Sequence, residues 1–277
     1  TDADAQWPSH YLRQAWPSDA AAISLPFQHV VDADTPLGRA TLIYELWLHH
    51  YILGLELAAS EYAFHTLGSC CGFNAHCYGA VRGVPLRAGA EDFYLLNKLA
   101  KMGQIYRPPG PPVLIQARAS DRVPFGTGPA VTRLMASGEP ESTPFFYHPE
   151  CFTALQVVLA SFPTWLAKVN PNISEDLSLK LPKPLALAAT AQLSKLGLPQ
   201  ALKHSQRNSR DAQQSARQLR TWFDGFKTLK FLNGLRELRD NHQSYQQLPG
   251  MKSAPITTSA LIAKRQAITA RWGWQLN

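Results

Sequence analysis

The sequence lacks a long hydrophobic run and a leader of the secretory type. No stretch of about 18 consecutive apolar residues is present, which predicts that the chain has no membrane span. The first residues, Thr1-Asp2-Ala3-Asp4, are acidic where a signal peptide would be basic and then apolar. We therefore expect a cytoplasmic protein.

Cysteine and charge are both scarce. The four cysteines, Cys70, Cys71, Cys77 and Cys151, include an adjacent pair but no Cys-x-x-Cys motif, which predicts reduced thiols. His65 and His76 are near the first three, but the spacing does not favour a zinc site. Charged residues make up 17% of the chain and hydrophobic residues 45%, which excludes a disordered chain. A length of 277 residues suggests about two domains.

The net charge of +7 is concentrated near the C-terminus. Residues 1–194 carry 13 Lys and Arg against 16 Asp and Glu, whereas residues 195–277 carry 14 against 4. Such a basic segment predicts contact with an anionic membrane surface, nucleic acid or an acidic partner. A solvated helical face explains the same charges equally well.

Periodicity divides the chain into two regions. Residues 23–31 and 113–117 have the composition of strands, while the apolar spacing over residues 40–60 and 92–102 predicts helices. Residues 1–145 therefore form a predicted α/β domain.

The remainder of the chain has a different character. A helix-like segment at residues 151–169 is expected to break near Pro163, and residues 200–242 carry a thin apolar stripe among Gln and Arg. Residues 146–277 are thus predicted to be a basic, mainly helical appendage.

Motifs of three kinds contain the residue types of a catalytic site. Asp2-Ala3-Asp4 and Asp32-Ala33-Asp34 present pairs of carboxylates that suit Mg²⁺ or Mn²⁺, but such pairs also form turns and caps. Glu91-Asp92 opens a predicted helix, where a carboxylate is either a general base or an N-cap. Arg118 and Arg122 precede Gly126-Thr127-Gly128, which suits either phosphate binding or a structural turn.

Taken in order, three segments resemble a family-2 glycosyltransferase with the GT-A fold. They are T-D-A-D followed by Pro8, G-S-C-C-G-F-N-A at residues 68–75, and A-G-A-E-D-F-Y-L-L-N-K-L-A-K-M-G at residues 88–103. The resemblance covers about residues 1–130. It implies a partial, Rossmann-like GT-A domain followed by the helical region.

The resemblance also implies roles for individual residues. Asp2 and Asp4 would hold the divalent cation on a nucleotide-sugar donor, and Asp92 of the Glu91-Asp92 pair would be the catalytic base. Arg118 or Arg122 would assist the leaving diphosphate. Asp32 and Asp34 are assigned to an acceptor-side loop.

Two departures from the family pattern refine this expectation. The family's first nucleotide-binding half is not found before Thr1, so we expect the chain to be a C-terminal part or a truncated reading frame. The Gln-x-x-Arg-Trp motif of processive members is missing, because Arg122 is followed by Val123. The resemblance then implies an inverting transfer of single sugars.

The acceptor and the partners are less defined by the sequence. A lipid-linked acceptor would place the protein at the inner membrane face, with residues 200–277 on the anionic surface. The alternative function is a non-catalytic anion-binding or scaffolding protein that uses the basic tail. Nucleic-acid binding through that tail is a third and less favoured interpretation, since no nucleic-acid-binding motif accompanies its Arg, Lys and Trp residues.

Overall fold

A computed structural model describes most of the chain as two compact units. The described residues are 5–9, 11–13, 16–32, 34–87, 89–119, 126–138, 140, 146–239, 242–243 and 257–276. Three residues of the predicted site, Asp2, Asp4 and Arg122, lie outside them. Unit 1 comprises Thr1–Ile52, Phe64–Phe146 and Ser244–Asn277, and unit 2 comprises Leu53–Ala63 and Tyr147–Gln243.

Unit 1 contains two small mixed sheets. Its strands are β1 (Ala5–Gln6), β2 (Ala22–Ser24), β3 (Phe27–Val30), β4 (Cys71–Phe73), β5 (Ile105–Tyr106) and β6 (Val113–Gln116). One sheet has the order β1-β6-β3, with β6 antiparallel to β1 and parallel to β3. The other has the order β4-β2-β5, with β2 antiparallel to β4 and parallel to β5.

Pro26 separates β2 from β3, which belong to different sheets. Proline has no backbone N–H to donate to a ladder, so a strand that reaches it must stop or change partner. The carbonyl of Pro26 accepts the N–H of Val113 at 2.8 Å, at the start of β6. The strand composition over residues 23–31 therefore corresponds to two short strands, β2 and β3, on either side of Pro26.

Five α-helices among the described residues lie wholly or partly in unit 1. They are α1 (Pro36–Leu57), which continues into unit 2, α2 (Ala75–Ala80), α3 (Glu91–Leu99), α4 (Thr127–Ala136) and α11 (Thr258–Ala270). Thr35 accepts the N–H of Gly38 through its hydroxyl and so caps α1. The predicted helices over 40–60 and 92–102 are present with shifted ends, and helices with mixed sheets make this an α/β fold.

Unit 2 is mainly helical. After β7 (Phe146–Tyr147) it contains α5 (Pro149–Ala167), α6 (Ile173–Ser178), α7 (Lys183–Lys195), α8 (Leu198–Arg207), α9 (Ala212–Trp222) and α10 (Gly225–Arg239), followed by β8 (His242–Gln243). Among the described residues, α5 is the helix that is long and apolar enough to cross a membrane. Its buried face includes Phe162 and Trp165, and Phe162 makes an edge contact with Phe223 of unit 2.

The structure differs from two expectations for the C-terminal half. The helix α5 does not break at Pro163 but continues to Ala167, with Phe162 and Trp165 buried on either side of the proline. Residues 146–277 are also not one region, because the described residues 257–276 belong to unit 1. Trp274 is buried in the core of unit 1 with Ile23 and Phe27, which accounts for that difference.

Candidate functional site

Asp92 lies in the first turn of α3, with its carboxylate held by backbone donors. Oδ2 accepts the N–H of Gly68 at 2.9 Å, and Oδ1 accepts the N–H of Phe93 at 2.7 Å. The structure thus adds one partner, Gly68, that the sequence did not indicate. Ala90, and not Asp92, occupies the N-cap position.

The pKa of Asp92 is raised above its ordinary value. Burial is the largest cause, and the charge of Glu91 acts in the same direction. The two N–H groups of Phe93 and Gly68 lower the pKa, but they do not offset the burial. A carboxylate with a raised pKa in a fixed orientation suits a general base.

The turn that carries Gly68 is tied to β4. The thiol of Cys71 donates to the carbonyl of Gly68 at 3.2 Å, while the N–H of the same glycine donates to Asp92. Burial, and then the charge of Asp92, raise the pKa of Cys71 to about 12. Cys71 is therefore a buried neutral thiol that supports the turn beside the carboxylate.

Two further side chains contribute to the surroundings of Asp92. Tyr44 of α1 is 6% exposed, and its pKa is raised by burial and by the charge of Asp92, while a hydrogen bond with Thr127 lowers it. Thr127 is the first residue of α4. The charge of Asp92 thus acts on side chains of α1 and β4, and Tyr44 links this group to α4 through Thr127. The sequence had indicated Asp92, the segment 68–75 that contains Cys71, and the Gly-Thr-Gly turn, but not Tyr44.

The remaining predicted residues occupy different surroundings. Glu91 is exposed, and Arg118 is exposed two residues after β6 ends. Asp32 forms a turn before α1, because its Oδ1 accepts the N–H of Asp34 and its carbonyl accepts from Thr35. Turn formation was one of the two roles that the sequence left open for Asp32 and Asp34.

A second cluster of titratable groups, which sequence reasoning missed, is buried in unit 1. Glu45 Oε2 accepts from the backbone N–H of His29 at 2.8 Å and lies 2.7 Å from its Nδ1. Nη1 of Arg265 is 3.5 Å from Glu45 Oε1, and Nε2 of His49 is 3.6 Å from it. His49 in turn shares a hydrogen bond of 3.1 Å with His65.

Charges within this cluster oppose one another. Burial alone would raise the pKa of Glu45, but His29 and His49 together hold it below its ordinary value. The pKa of His65 lies well below its ordinary value because of burial and the nearby charges of His49 and Arg107, and burial also lowers the pKa of His49. Both histidines are therefore neutral near pH 7.

The surroundings of the cluster indicate a structural role. The rings of Trp272 and Trp274 lie 5.5 Å and 5.6 Å from His49, and 5.3 Å and 5.4 Å from His65. Within the described part of the chain, no group of three or more His, Cys, Asp or Glu residues is placed to hold a metal ion. The cluster joins α11 and the C-terminal tryptophans to α1 and β3.

No family model, curated protein or solved structure matches this chain.

Proposed function

We propose that the protein transfers a sugar from a nucleotide-sugar donor to an acceptor hydroxyl, with Asp92 as the general base. The observation that carries the proposal is the carboxylate of Asp92, which burial gives a raised pKa and which Gly68 and Phe93 hold in one orientation. A GT-A type of α/β fold for unit 1 belongs to the same proposal. It is supported by the mixed sheets and by the succession of strand and helices from β4 to α3.

In this reaction Asp92 accepts the proton of the acceptor hydroxyl. The hydroxyl oxygen then forms a bond to the anomeric carbon of the sugar, and the bond from that carbon to the nucleoside diphosphate breaks, with inversion. General-base catalysis of this kind contributes about 10² to 10⁴ in rate. Gly68 and Phe93 each occupy one lone pair, on Oδ2 and Oδ1 respectively, and a carboxylate oxygen has a second lone pair with which it can accept the proton.

The donor side of the proposal depends on residues outside the described part of the chain. Asp2 and Asp4 would hold Mg²⁺ or Mn²⁺, and Arg118 and Arg122 would contact the diphosphate. A bound divalent cation supplies neutralisation of the charge on the leaving diphosphate. Arg118, which is exposed after β6, is the described member of this set.

The test is turnover of nucleotide sugars by the purified protein. Uridine, guanosine and thymidine diphosphate sugars are incubated with Mn²⁺ or Mg²⁺ and with lipid-linked or soluble acceptors, and the released nucleoside diphosphate is measured. We expect release with at least one donor. Its absence with every donor and both cations would contradict the proposal.

A second candidate function is non-catalytic anion binding by unit 2. Five exposed cations on and between α8 and α9 favour it: Lys203, Arg207, Arg210, Arg217 and Arg220. The aromatic residues that had suggested nucleic-acid binding do not all accompany them, because Trp274 is buried in unit 1. Salt-sensitive retention on an anionic matrix, lost on neutralising Arg207 and Arg217, is the expected result for this function.

A further inference from the structure

The segment Arg82–Arg87, R-G-V-P-L-R, forms an exposed apolar tip between α2 and α3, and we call it the 82–87 loop. Leu86 is 103% exposed and Val84 is 45% exposed, so two large aliphatic side chains face water within three residues. Arg82 and Arg87 at the two ends are also exposed. The loop contains no acidic residue, and the next one along the chain is Glu91.

The base of the loop is fixed on both sides. On the side of α2, the N–H of Gly83 donates to the carbonyl of Tyr78 at 3.0 Å, and Arg82 and Gly83 have φ values of 61° and 66°. Such values favour glycine, and they reverse the chain tightly. Lys98 of α3 donates to the carbonyl of Val81 at 2.7 Å.

The second end of the loop also contacts α3. The guanidinium of Arg87 lies 4.6 Å from the centre of the Tyr94 ring, in a cation–π contact. Since both ends are tied to α2 and α3, the aliphatic tip is presented in a fixed position and little ordering is needed when it binds.

We propose that the 82–87 loop docks on an anionic lipid bilayer, with Val84 and Leu86 entering the interface and Arg82 and Arg87 at the headgroups. Aliphatic side chains flanked by arginines match the apolar and anionic layers of such a surface. A protein partner fits less well, because a tip with two aliphatic side chains supplies little of the roughly 1,000 Å² that a specific protein interface buries.

This contact differs from the membrane surface expected from residues 200–277. It lies in unit 1, and Leu86 precedes Asp92 by only a few residues along the same chain segment. If the proposed transfer reaction holds, the loop brings the base to the surface where a lipid-linked hydroxyl would be found. The acceptor would then be a lipid-linked hydroxyl. Only this assignment of the acceptor rests on the proposed function.

The experiment is co-sedimentation of the full chain with vesicles of phosphatidylglycerol and phosphatidylcholine, and with phosphatidylcholine alone, at low and high salt. We expect binding to the anionic vesicles that weakens at high salt. Leu86→Ser should weaken it by about tenfold to a hundredfold, because a leucine side chain no longer leaves water. Arg82→Asn should weaken it by about fivefold, and Asn tolerates the backbone conformation of Arg82.

Matched variants distinguish the loop from other exposed groups. Leu179→Ser, at a leucine of unit 2 that is 80% exposed, should leave vesicle binding unchanged. The double variant Arg207→Gln, Arg217→Gln tests whether the exposed arginines of α8 and α9 contribute to vesicle binding. Loss of binding in the double variant but not in Leu86→Ser would place the membrane contact in unit 2 and overturn the inference.

Two further results would overturn it. The first is the absence of vesicle binding at low salt. The second is self-association without vesicles that Leu86→Ser abolishes, which would make a second copy of the chain the occupant. Vesicle binding is measured without donor or acceptor, so it does not depend on the transfer reaction. A protein that transfers sugar but does not bind vesicles contradicts only this inference. A protein that binds vesicles but shows no turnover contradicts only the proposed function.

Discussion

Arg265 and Glu45 form a buried ion pair in unit 1, with Nη1 of Arg265 3.5 Å from Oε1 of Glu45 and side chains that are 4% and 0% exposed. Arg265 also donates to the carbonyl of His29 at 3.3 Å. The guanidinium of α11 thus contacts both α1 and the end of β3. Removing one partner leaves the other charge buried, which costs more than the pair contributes to stability.

We expect Arg265→Met to lower the free energy of unfolding by about 3 to 5 kcal/mol, because Glu45 keeps its buried charge without the guanidinium. Urea denaturation measures the change. Arg271→Met is the matched control, since Arg271 is exposed at the C-cap of the same helix, and it should change stability by less than about 0.5 kcal/mol. Equal effects of the two substitutions would show that the pair with Glu45 is unimportant.

The histidines of the same cluster predict acid sensitivity. His49 and His65 have lowered pKa values in the folded protein, so the unfolded chain takes up more protons once the pH falls below about 6.5. Stability should then fall with decreasing pH by about 1.4 kcal/mol per pH unit for each histidine. At lower pH, protonation of Glu45, whose folded pKa is also lowered, adds to the loss.

Urea denaturation between pH 7.5 and 5.5 checks this slope. His65→Leu should reduce the pH dependence, while His76→Ala, at an exposed histidine, should leave it unchanged. The charges of His29, Arg107 and Arg265 also act on His49 or His65. The pH dependence of the variant and of the unsubstituted protein is therefore compared at constant ionic strength, so that salt screening does not change between samples. A slope that is the same in His65→Leu and in the unsubstituted protein would contradict the assignment.

The sequence predicted the local elements better than the contacts between them. The strands at residues 27–30 and 113–116 follow from composition and the helix α1 follows from apolar spacing, and both are properties of neighbouring residues along the chain. The ion pair of Glu45 and Arg265 could not be predicted from such local properties, because it depends on where α11 packs, and no local pattern encodes that packing. In the same way, Asp92 was predicted as a candidate catalytic base from its residue type and position. Its contact with Gly68 was not predicted, because Gly68 has no side chain and donates through its backbone N–H.

Two glycines in helices should respond in opposite ways to alanine. A Cβ at Gly54 would overlap the ring of Phe152, whereas a Cβ at Gly79 would meet no atom within 4 Å. Gly54→Ala should therefore destabilise the protein by about 1 to 3 kcal/mol through overpacking. Gly79→Ala should stabilise it by about 0.5 to 1 kcal/mol through helix propensity. Thermal unfolding of both variants shows whether each substitution raises or lowers stability. A stabilising Gly54→Ala would show that the ring of Phe152 moves freely to make room for the methyl group.

Cysteine labelling tests the thiol that supports the turn beside Asp92. Cys71 is 8% exposed and its pKa is raised to about 12, so little thiolate forms at pH 8. Cys77, in α2, is more exposed and should be alkylated first by iodoacetamide. Mass spectrometry of peptides at successive times gives the order. Alkylation of Cys71 as fast as Cys77 would mean that the turn opens in solution.

The decisive substitution for the proposed reaction is Asp92→Asn. The amide keeps the size of the side chain, and its oxygen still accepts the N–H of Gly68 or Phe93, but it cannot take a proton from a hydroxyl. Transfer should fall by about two orders of magnitude or more while donor binding is retained. The other backbone N–H then faces the NH₂ group of the amide, so we also expect a loss of about 1 to 3 kcal/mol in the free energy of unfolding.

Glu91→Gln is the matched control for Asp92→Asn, because Glu91 is an exposed carboxylate in the same helical turn. It should retain most of the transfer rate, with the acidic limb of the pH profile moved to lower pH, since the charge of Glu91 raises the pKa of Asp92. Calorimetry with the nucleotide sugar separates binding from chemistry. If Asp92→Asn abolishes donor binding together with transfer and lowers the free energy of unfolding by more than about 3 kcal/mol, Asp92 is a structural residue of α3. If Glu91→Gln alone abolishes transfer, the base is Glu91.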